Sequence, residues 1–219
     1  MVVVMLISWE SPEGMSPGHA NEKLQKKIEI LGGKILGKWD VDCEVYSSLN
    51  GIVGLSDTQT TQPANLGGAT APQQAIYVLH NSNYSLSTFA ILEDNTVLIA
   101  DSSFDQFMPH MKVFYKKGQR SDAKGNRYEL NEFIIKTGVA TFGGSQQKIL
   151  LLEITYLLSD YVHESIGIIR ELAKLLLDNS FPGIETPITV REDKKFSPSD
   201  LLLQYKALFS HVKKPSTVK

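Results

Sequence analysis

The chain has 219 residues, enough for one large domain or two small ones, and hydrophobic residues make up 42% of it, enough for a substantial core. With 22 basic and 24 acidic residues, its formal net charge of -2 excludes a broad electrostatic attraction to nucleic acid or to an anionic membrane. The single cysteine, Cys43, excludes an intrachain disulfide and favours a reducing compartment.

The first 46 residues predict a strand, a helix and a second strand. Residues 2–9 are β-branched and apolar, which is typical of a buried strand. Ser16 suits a helix N-terminus and Gly32 suits the positive φ at a helix end, so a helix is predicted between them. Residues 38–46 alternate, which predicts a half-buried antiparallel strand. Its apolar face carries Trp39, Val41, Cys43 and Val45, and its polar face carries Lys38, Asp40, Asp42 and Glu44.

Two segments lack any regular pattern of apolar residues. Residues 47–72 are rich in Gly, Thr, Gln, Ser and Asn, and we predict a long flexible loop there. Residues 213–219 are predicted as a flexible tail. The chain shows no internal repeat and no clear domain boundary, so residues 1–219 are predicted to form a single barrel-like domain.

The middle of the chain predicts a β-meander, with strands over residues 75–80, 86–92 and 96–100 joined by short turns. This region also contains His80, Asp101 and several serines, the residue types of a hydrolase triad. A nucleophile elbow needs a Gly-x-Ser-x-Gly turn between a strand and a helix, and this sequence has none here. Turn and capping roles explain these side chains, so no catalytic residue is predicted.

A helix and then a polar loop are predicted to follow. Residues 101–103 read Asp-Ser-Ser, which is typical of a helix N-terminus, and apolar residues recur at helical spacing over residues 104–114. Pro109 is expected to kink this helix or to split it after Met108, since proline removes a backbone donor. The polar residues 116–126 end in Lys-Gly-Asn, which predicts a loop with a turn.

The C-terminal half predicts strands over residues 127–136, 139–142 and 148–158 and helices over residues 160–177 and 197–212. The apolar phase of the first of these strands slips near Glu132, which indicates a β-bulge. No strand–helix–strand alternation persists, which argues against a doubly wound sheet. We predict an α+β fold: an antiparallel β-barrel of about eight strands, closed or nearly closed, flanked by about four helices.

Three carboxylates on the second predicted strand are the strongest indication of an enzyme in this sequence. Asp40, Asp42 and Glu44 are spaced so that they share one face, as in barrels that hold a metal on strand carboxylates. No matching pair of carboxylates lies on another predicted strand, which favours a solvated outer face.

The five histidines are scattered and the glycine pairs match no phosphate-binding motif, so no metal or cofactor is predicted. Two alternatives stay open: a metal-dependent phosphohydrolase using these carboxylates, and a small-ligand-binding barrel.

Several blocks together resemble one known family. These are VDCEVY at residues 41–46, YVLHNSNYSLSTFAILED at 77–94, LIADSSFD at 98–105, GNRYELNEFIIKTG at 125–138 and LLLQYKALF at 201–209. Their sequences, order and spacing resemble the subunit 20 family of the Mediator complex, once called the TBP-related-factor-proximal proteins.

The resemblance implies an antiparallel β-barrel with helices, in a non-catalytic structural subunit of the head module of this nuclear transcription coactivator. It implies pairing with a structurally similar barrel, Mediator subunit 18, and through that partner a link to Mediator subunit 8. No cofactor, no direct contact with nucleic acid and no membrane are expected. RNA triphosphatases with a related barrel carry paired Glu-x-Glu strands, which this sequence lacks.

Aromatic residues in the meander are candidates for a partner interface. Tyr77, Tyr84 and Phe89 lie near the predicted turn, and exposed aromatic rings often anchor protein interfaces. Ordinary core packing is the favoured interpretation for each of them, and the interface is the alternative.

Overall fold

The computed structural model describes residues 2–49, 74–143, 148–177 and 195–211. The strands are β1 (Val3–Trp9), β2 (Lys34–Ser48), β3 (Ala75–Asn81), β4 (Ser87–Ile91), β5 (Val97–Asp101), β6 (Tyr115–Leu130), β7 (Phe133–Phe142) and β8 (Lys148–Tyr156). The helices are α1 (Pro17–Ile30), α2 (Phe104–Phe107), α3 (Val162–Leu177) and α4 (Pro198–His211). Short 3-10 turns cover Ser82–Tyr84 and Met108–Met111. None of the helices in the described ranges is long and apolar enough to cross a membrane.

The eight strands form one antiparallel sheet in the order β1-β8-β7-β6-β2-β3-β4-β5. This confirms the predicted α+β class and the strand number. The strands at the two ends, β1 and β5, do not pair with each other in the described part of the chain, so the sheet is open and the expected closure of the barrel is not complete. An open sheet has two edges, and each edge has backbone groups that need a partner.

The curved sheet is covered on both faces. Its inner face packs on α4, and this cluster includes Trp39, Val41, Leu79, Leu151 and Tyr205. Its outer face packs on α1 and α3 around a second cluster that includes Met5, Ile28, Tyr128, Ile154 and Ile169. Because β8 is buried on both faces, its residues 149–152 form an uninterrupted apolar run instead of an alternating pattern. Helix α4 therefore fills the space that the open sheet encloses.

The two ends of α1 follow the predicted signals. Ser16 Oγ accepts a hydrogen bond from the His19 N–H at 3.3 Å, and Gly32 has a φ of 95° just beyond α1. Pro109 splits the next helix, one residue earlier than predicted: α2 ends at Phe107, and the 3-10 turn begins at Met108. This helical region ends at Met111, so the predicted extension to residue 114 is wrong.

The segment predicted as a polar loop, residues 116–126, is instead most of β6. Its outward side chains are charged, and the residues on its inner side, Ser121, Ala123 and Gly125, are small. Gly125 is the cross-strand partner of Trp39, and it has no room for a side chain because the backbone of β7 lies against it. A strand whose buried face has no bulky residue shows no apolar alternation, which is why the sequence predicted a loop.

Gly125→Ala is expected to destabilise the fold by about 1–3 kcal/mol, since the added methyl group has no room. A Cβ at Gly125 would lie 1.9 Å from the Thr137 carbonyl oxygen and 2.6 Å from Gly138 Cα. Gly167→Ala in α3 is the matched control, because a Cβ there meets nothing within 4 Å. The control is expected to gain about 0.5–1 kcal/mol of helix stability. Urea denaturation of both variants checks this, and equal midpoints would contradict the crowding at Gly125.

The predicted bulge near Glu132 is wrong, because the chain reverses there. Leu130 pairs with Phe133, and the two residues between them form a hairpin turn in which Asn131 has a φ of 49°. The apolar phase slips because two strands meet at this point. The two strands predicted over residues 127–136 and 139–142 are therefore the end of β6 and the whole of β7.

Several predictions concern residues outside the described ranges. Ser47 and Ser48 belong to β2, and residues 50–72 of the predicted loop lie outside the described residues. The tail over residues 213–219 also lies outside them. The flexibility of both segments and the single-domain organisation stay predictions.

Candidate partner surface

The carboxylates singled out on β2 lie on the outer face of the sheet, as their alternation predicted. Asp42 Oδ2 is 3.1 Å from Arg120 Nη2 and 3.7 Å from His80 Nδ1. Glu44 Oε1 is 2.9 Å from Lys117 Nζ, and its other oxygen accepts a hydrogen bond from the Tyr46 hydroxyl at 2.9 Å. These two carboxylates are therefore bound to cations of neighbouring strands.

Both carboxylates are held in the ionised form. Burial raises the pKa of Asp42, but the hydrogen bond and charge of His80 and the charges of Arg120 and Lys117 outweigh it, and the pKa lies below its ordinary value. Burial also raises the pKa of Glu44, but the hydrogen bonds of Lys117 and Tyr46 and the charges of Lys117 and Arg120 lower it by more, so the pKa lies below its ordinary value. A general acid at neutral pH needs a raised pKa, so these groups are suited to ion pairing instead.

The enzymatic hypotheses receive no support from this geometry. Among the described residues, no group of three or more His, Cys, Asp or Glu side chains is placed to hold a metal ion. The hydrolase constellation is dispersed: His80 faces Asp42, while Asp101 Oδ1 accepts a hydrogen bond from the Ser103 N–H at 2.8 Å. Asp101 thus closes a turn, and Ser103 makes no side-chain cap of α2.

An open groove of about 620 Å³ runs along the outer face of β2 and β6. Its charged lining residues are Lys38, Asp40, Asp42, Arg120, Asp122 and Lys124. The three acidic and three basic side chains balance, so the groove selects neither an anion nor a cation. On the inner face, α4 occupies the interior that a small-ligand barrel would offer to its ligand.

The three aromatic candidates separate into core and surface. Tyr77 and Phe89 are buried in the inner cluster, as the core-packing interpretation expects. Tyr84 is exposed, and its ring stands edge-on to Phe89 with centroids 5.7 Å apart. The burial follows from the strand phase, since Tyr77 pairs with Ile91 and Phe89 pairs with Leu79, all on the inner face. A partner contact by these residues stays a prediction.

The structure adds two exposed residues that the sequence did not single out, both on β5. Leu98 is 50% exposed and Ile99 is 72% exposed. Their side chains point to opposite faces of the sheet, because adjacent residues alternate in a strand. Ile99 pairs with Phe89 on the inner side, and Leu98 pairs with Ala90 on the outer side. The sequence did contain a signal for this exposed apolar surface: Val97–Asp101 has no polar face, although the strand lies at an edge of the sheet.

The other edge of the sheet is protected by α4. The Gln204 side chain accepts a hydrogen bond from the Leu6 N–H at 2.8 Å and donates one to the Val4 carbonyl at 3.1 Å. It thereby replaces a neighbouring strand for β1. Two residues further along α4, Lys206 Nζ donates to the Leu92 carbonyl at 2.6 Å and to Asn95 Oδ1 at 2.8 Å. Helix α4 thus connects β1 to the β4–β5 turn.

A second exposed apolar area lies where α1 meets β2. Ile30, Leu31, Ile35 and Leu36 are all exposed there. We call these four residues the α1–β2 corner. Exposed apolar surface of this kind often marks a contact with another protein, so the corner competes with the β5 edge as a partner surface.

Comparison with known proteins identifies a family. The model of a family described as "TATA-binding related factor (TRF) of subunit 20 of Mediator complex" matches residues 1–210. Proteins named "Mediator of RNA polymerase II transcription subunit 20" from Rattus norvegicus and Gallus gallus are 33% and 31% identical over 208 residues, covering 94% of this chain and 92% of each relative. A chain in the structure of the Schizosaccharomyces pombe Mediator head module aligns with a TM-score of 0.37 and 11% identity, covering 83% of this chain and 96% of that one.

Proposed function

Because the chain belongs to the subunit 20 family of the Mediator complex, we propose that it is a structural subunit of the head module that pairs with a related barrel subunit. The family match over residues 1–210 carries this proposal. Members of this family are structural subunits of a transcription coactivator and not enzymes, so the phosphohydrolase alternative is rejected.

The partner we propose is Mediator subunit 18, with Mediator subunit 8 reached through it. In this arrangement the protein acts in the nucleus and helps to relay regulatory signals to RNA polymerase II transcription initiation. The exposed aliphatic side chains of β5 and of the α1–β2 corner support a role in assembly, since a protein with an exposed apolar strand edge is expected to be more soluble with its partner than alone.

Co-expression with subunit 18 from the same organism tests the proposal. Size-exclusion chromatography with light scattering is expected to show a stable one-to-one complex, and the isolated chain is expected to aggregate or to melt at a lower temperature than the complex. Co-expression with an unrelated protein of similar size is the control. A chain that remains a well-behaved monomer in the presence of subunit 18 would contradict the pairing.

A further inference from the structure

The two edges of the open sheet differ in how they are protected. At β1, the Gln204 side chain hydrogen bonds to the Val4 and Leu6 backbone, and most of the strand is buried. At β5, no other strand within the described residues pairs with the outer side, and Leu98 and Ile99 are exposed. The fold therefore protects one edge from within the chain and presents the other.

The β5 edge also lacks the features that prevent one sheet from adding to another. Natural edge strands are blocked by lysine, by proline or by a bulge. The sequence Val-Leu-Ile-Ala-Asp of β5 contains neither lysine nor proline. Its pairing with β4 runs through five residue pairs without a register shift. A regular strand with apolar side chains on both faces is a suitable template for one further strand.

Charge at the ends of β5 distinguishes between possible occupants. Asp94 precedes the strand and Asp101 ends it, and both carboxylates are exposed. Lys206 lies near the first end, where it binds the turn at Leu92 and Asn95. A second copy of this chain would bring acidic ends against acidic ends in either strand direction. An apolar segment with basic ends would instead match both the aliphatic side chains and the carboxylates.

We propose that the β5 edge receives an extended, apolar segment with basic ends from the barrel partner, which pairs as a ninth strand of this sheet. This inference rests on the proposed function, because the occupant belongs to the pairing partner. The partner's backbone would bond to the free side of β5, and its side chains would cover Leu98 on the outer face and Ile99 on the inner face.

Ile99→Lys tests the proposal, because it places a charge on the inner side of the edge, where the added strand would cover it. The wild-type chain and the variant are co-expressed with tagged subunit 18, and the amount recovered with the tag is measured. The expected loss is about tenfold or more, as for a central apolar anchor. Leu158→Lys and Ile35→Lys are matched controls, since these residues are 68% and 61% exposed and lie away from β5. Circular dichroism and melting curves establish that each variant folds.

Two further measurements do not depend on the lysine variant. Amide hydrogen exchange of residues 97–101 is expected to slow in the complex, since the added strand bonds to the free backbone groups of β5.

Asp101→Asn keeps the oxygen that accepts from Ser103 but removes the charge. It is expected to weaken pairing about two- to fivefold at low salt and to have no effect at high salt.

The outcomes separate this inference from the proposed function. If the wild-type chain does not pair with subunit 18, the proposed function fails, and the inference fails with it. If the wild-type chain pairs and Ile99→Lys pairs equally well, the proposed function stands and the edge proposal is overturned. Loss of pairing in Ile35→Lys alone would move the interface to the α1–β2 corner. A homodimer of the chain that Ile99→Lys disrupts would identify a second copy as the occupant and overturn the proposal.

Discussion

Glu153→Ala is expected to lower the free energy of unfolding by about 3–5 kcal/mol, because it leaves a buried ammonium group without a counter-charge. Glu153 Oε1 lies 2.8 Å from Lys136 Nζ, and both side chains are only 2% exposed. Tyr205 on α4 donates its hydroxyl hydrogen to the other carboxylate oxygen at 2.5 Å. The same ammonium group lies 5.7 Å from the centre of the Trp39 ring. Urea denaturation of the variant and the parent chain measures the difference.

A double variant separates the cost of an unpaired charge from the value of the pair. Lys136→Met with Glu153→Leu removes both charges at similar volume and is expected to regain most of the lost stability, since replacing a buried ion pair with apolar side chains is often neutral or favourable. Tyr205→Phe removes one hydrogen bond to the carboxylate and is expected to cost about 1.5–3 kcal/mol. If the double variant is as unstable as Glu153→Ala, the uncompensated Lys136 charge is not the cause.

The tyrosine in this network also gives a dependence on pH. Burial, the charge of Glu153 and the hydrogen bond to it raise the pKa of Tyr205 well above its ordinary value. The raised pKa means that the folded state favours the protonated hydroxyl. This contribution to stability is fully present below the unfolded pKa of about 10 and is lost as the pH rises above it. In Tyr205→Phe, this part of the alkaline loss of stability is expected to be absent.

Sequence patterns predicted the elements whose two faces differ. The alternation of β2 was visible because Trp39 and Val41 face the core while Asp40 and Asp42 face solvent. The alternation of β6 was hidden, since the residues on its buried face, Ser121, Ala123 and Gly125, are small. The sequence pattern of a strand shows the size of its own side chains but not which strand packs beside it.

Long-range pairings were also beyond the sequence. The buried pair of Lys136 and Glu153 is formed between directly opposed residues of β7 and β8, and nothing in either strand alone indicates that these charges are in the core. The candidate partner surface has the same origin. Exposure of Leu98 and Ile99 depends on β5 being the last strand of the sheet, which only the topology shows.

Gln204→Leu is expected to lower the free energy of unfolding by about 2–4 kcal/mol, because it leaves two buried backbone groups of β1 without partners. These are the Leu6 N–H and the Val4 carbonyl, both of which bond to the Gln204 side chain. Leucine has similar volume, so the packing of α4 is retained while the hydrogen bonds are lost. Urea denaturation measures the cost, and Gln119→Leu, at an exposed position of β6, is the control with an expected change within about 0.5 kcal/mol.

Hydrogen exchange locates this effect within the molecule. The Leu6 amide is expected to exchange faster in Gln204→Leu, while amides in the centre of the sheet, such as that of Leu151, change only with global stability. Unchanged exchange at Leu6 would contradict the role of Gln204 as a substitute for a neighbouring strand. If Gln204 has this role, the Gln204→Leu variant has two open sheet edges instead of one. Its tendency to aggregate is therefore expected to rise even in the complex, where the partner covers β5 alone. Protection of β1 by α4 is thus what restricts strand addition to the β5 side of the sheet.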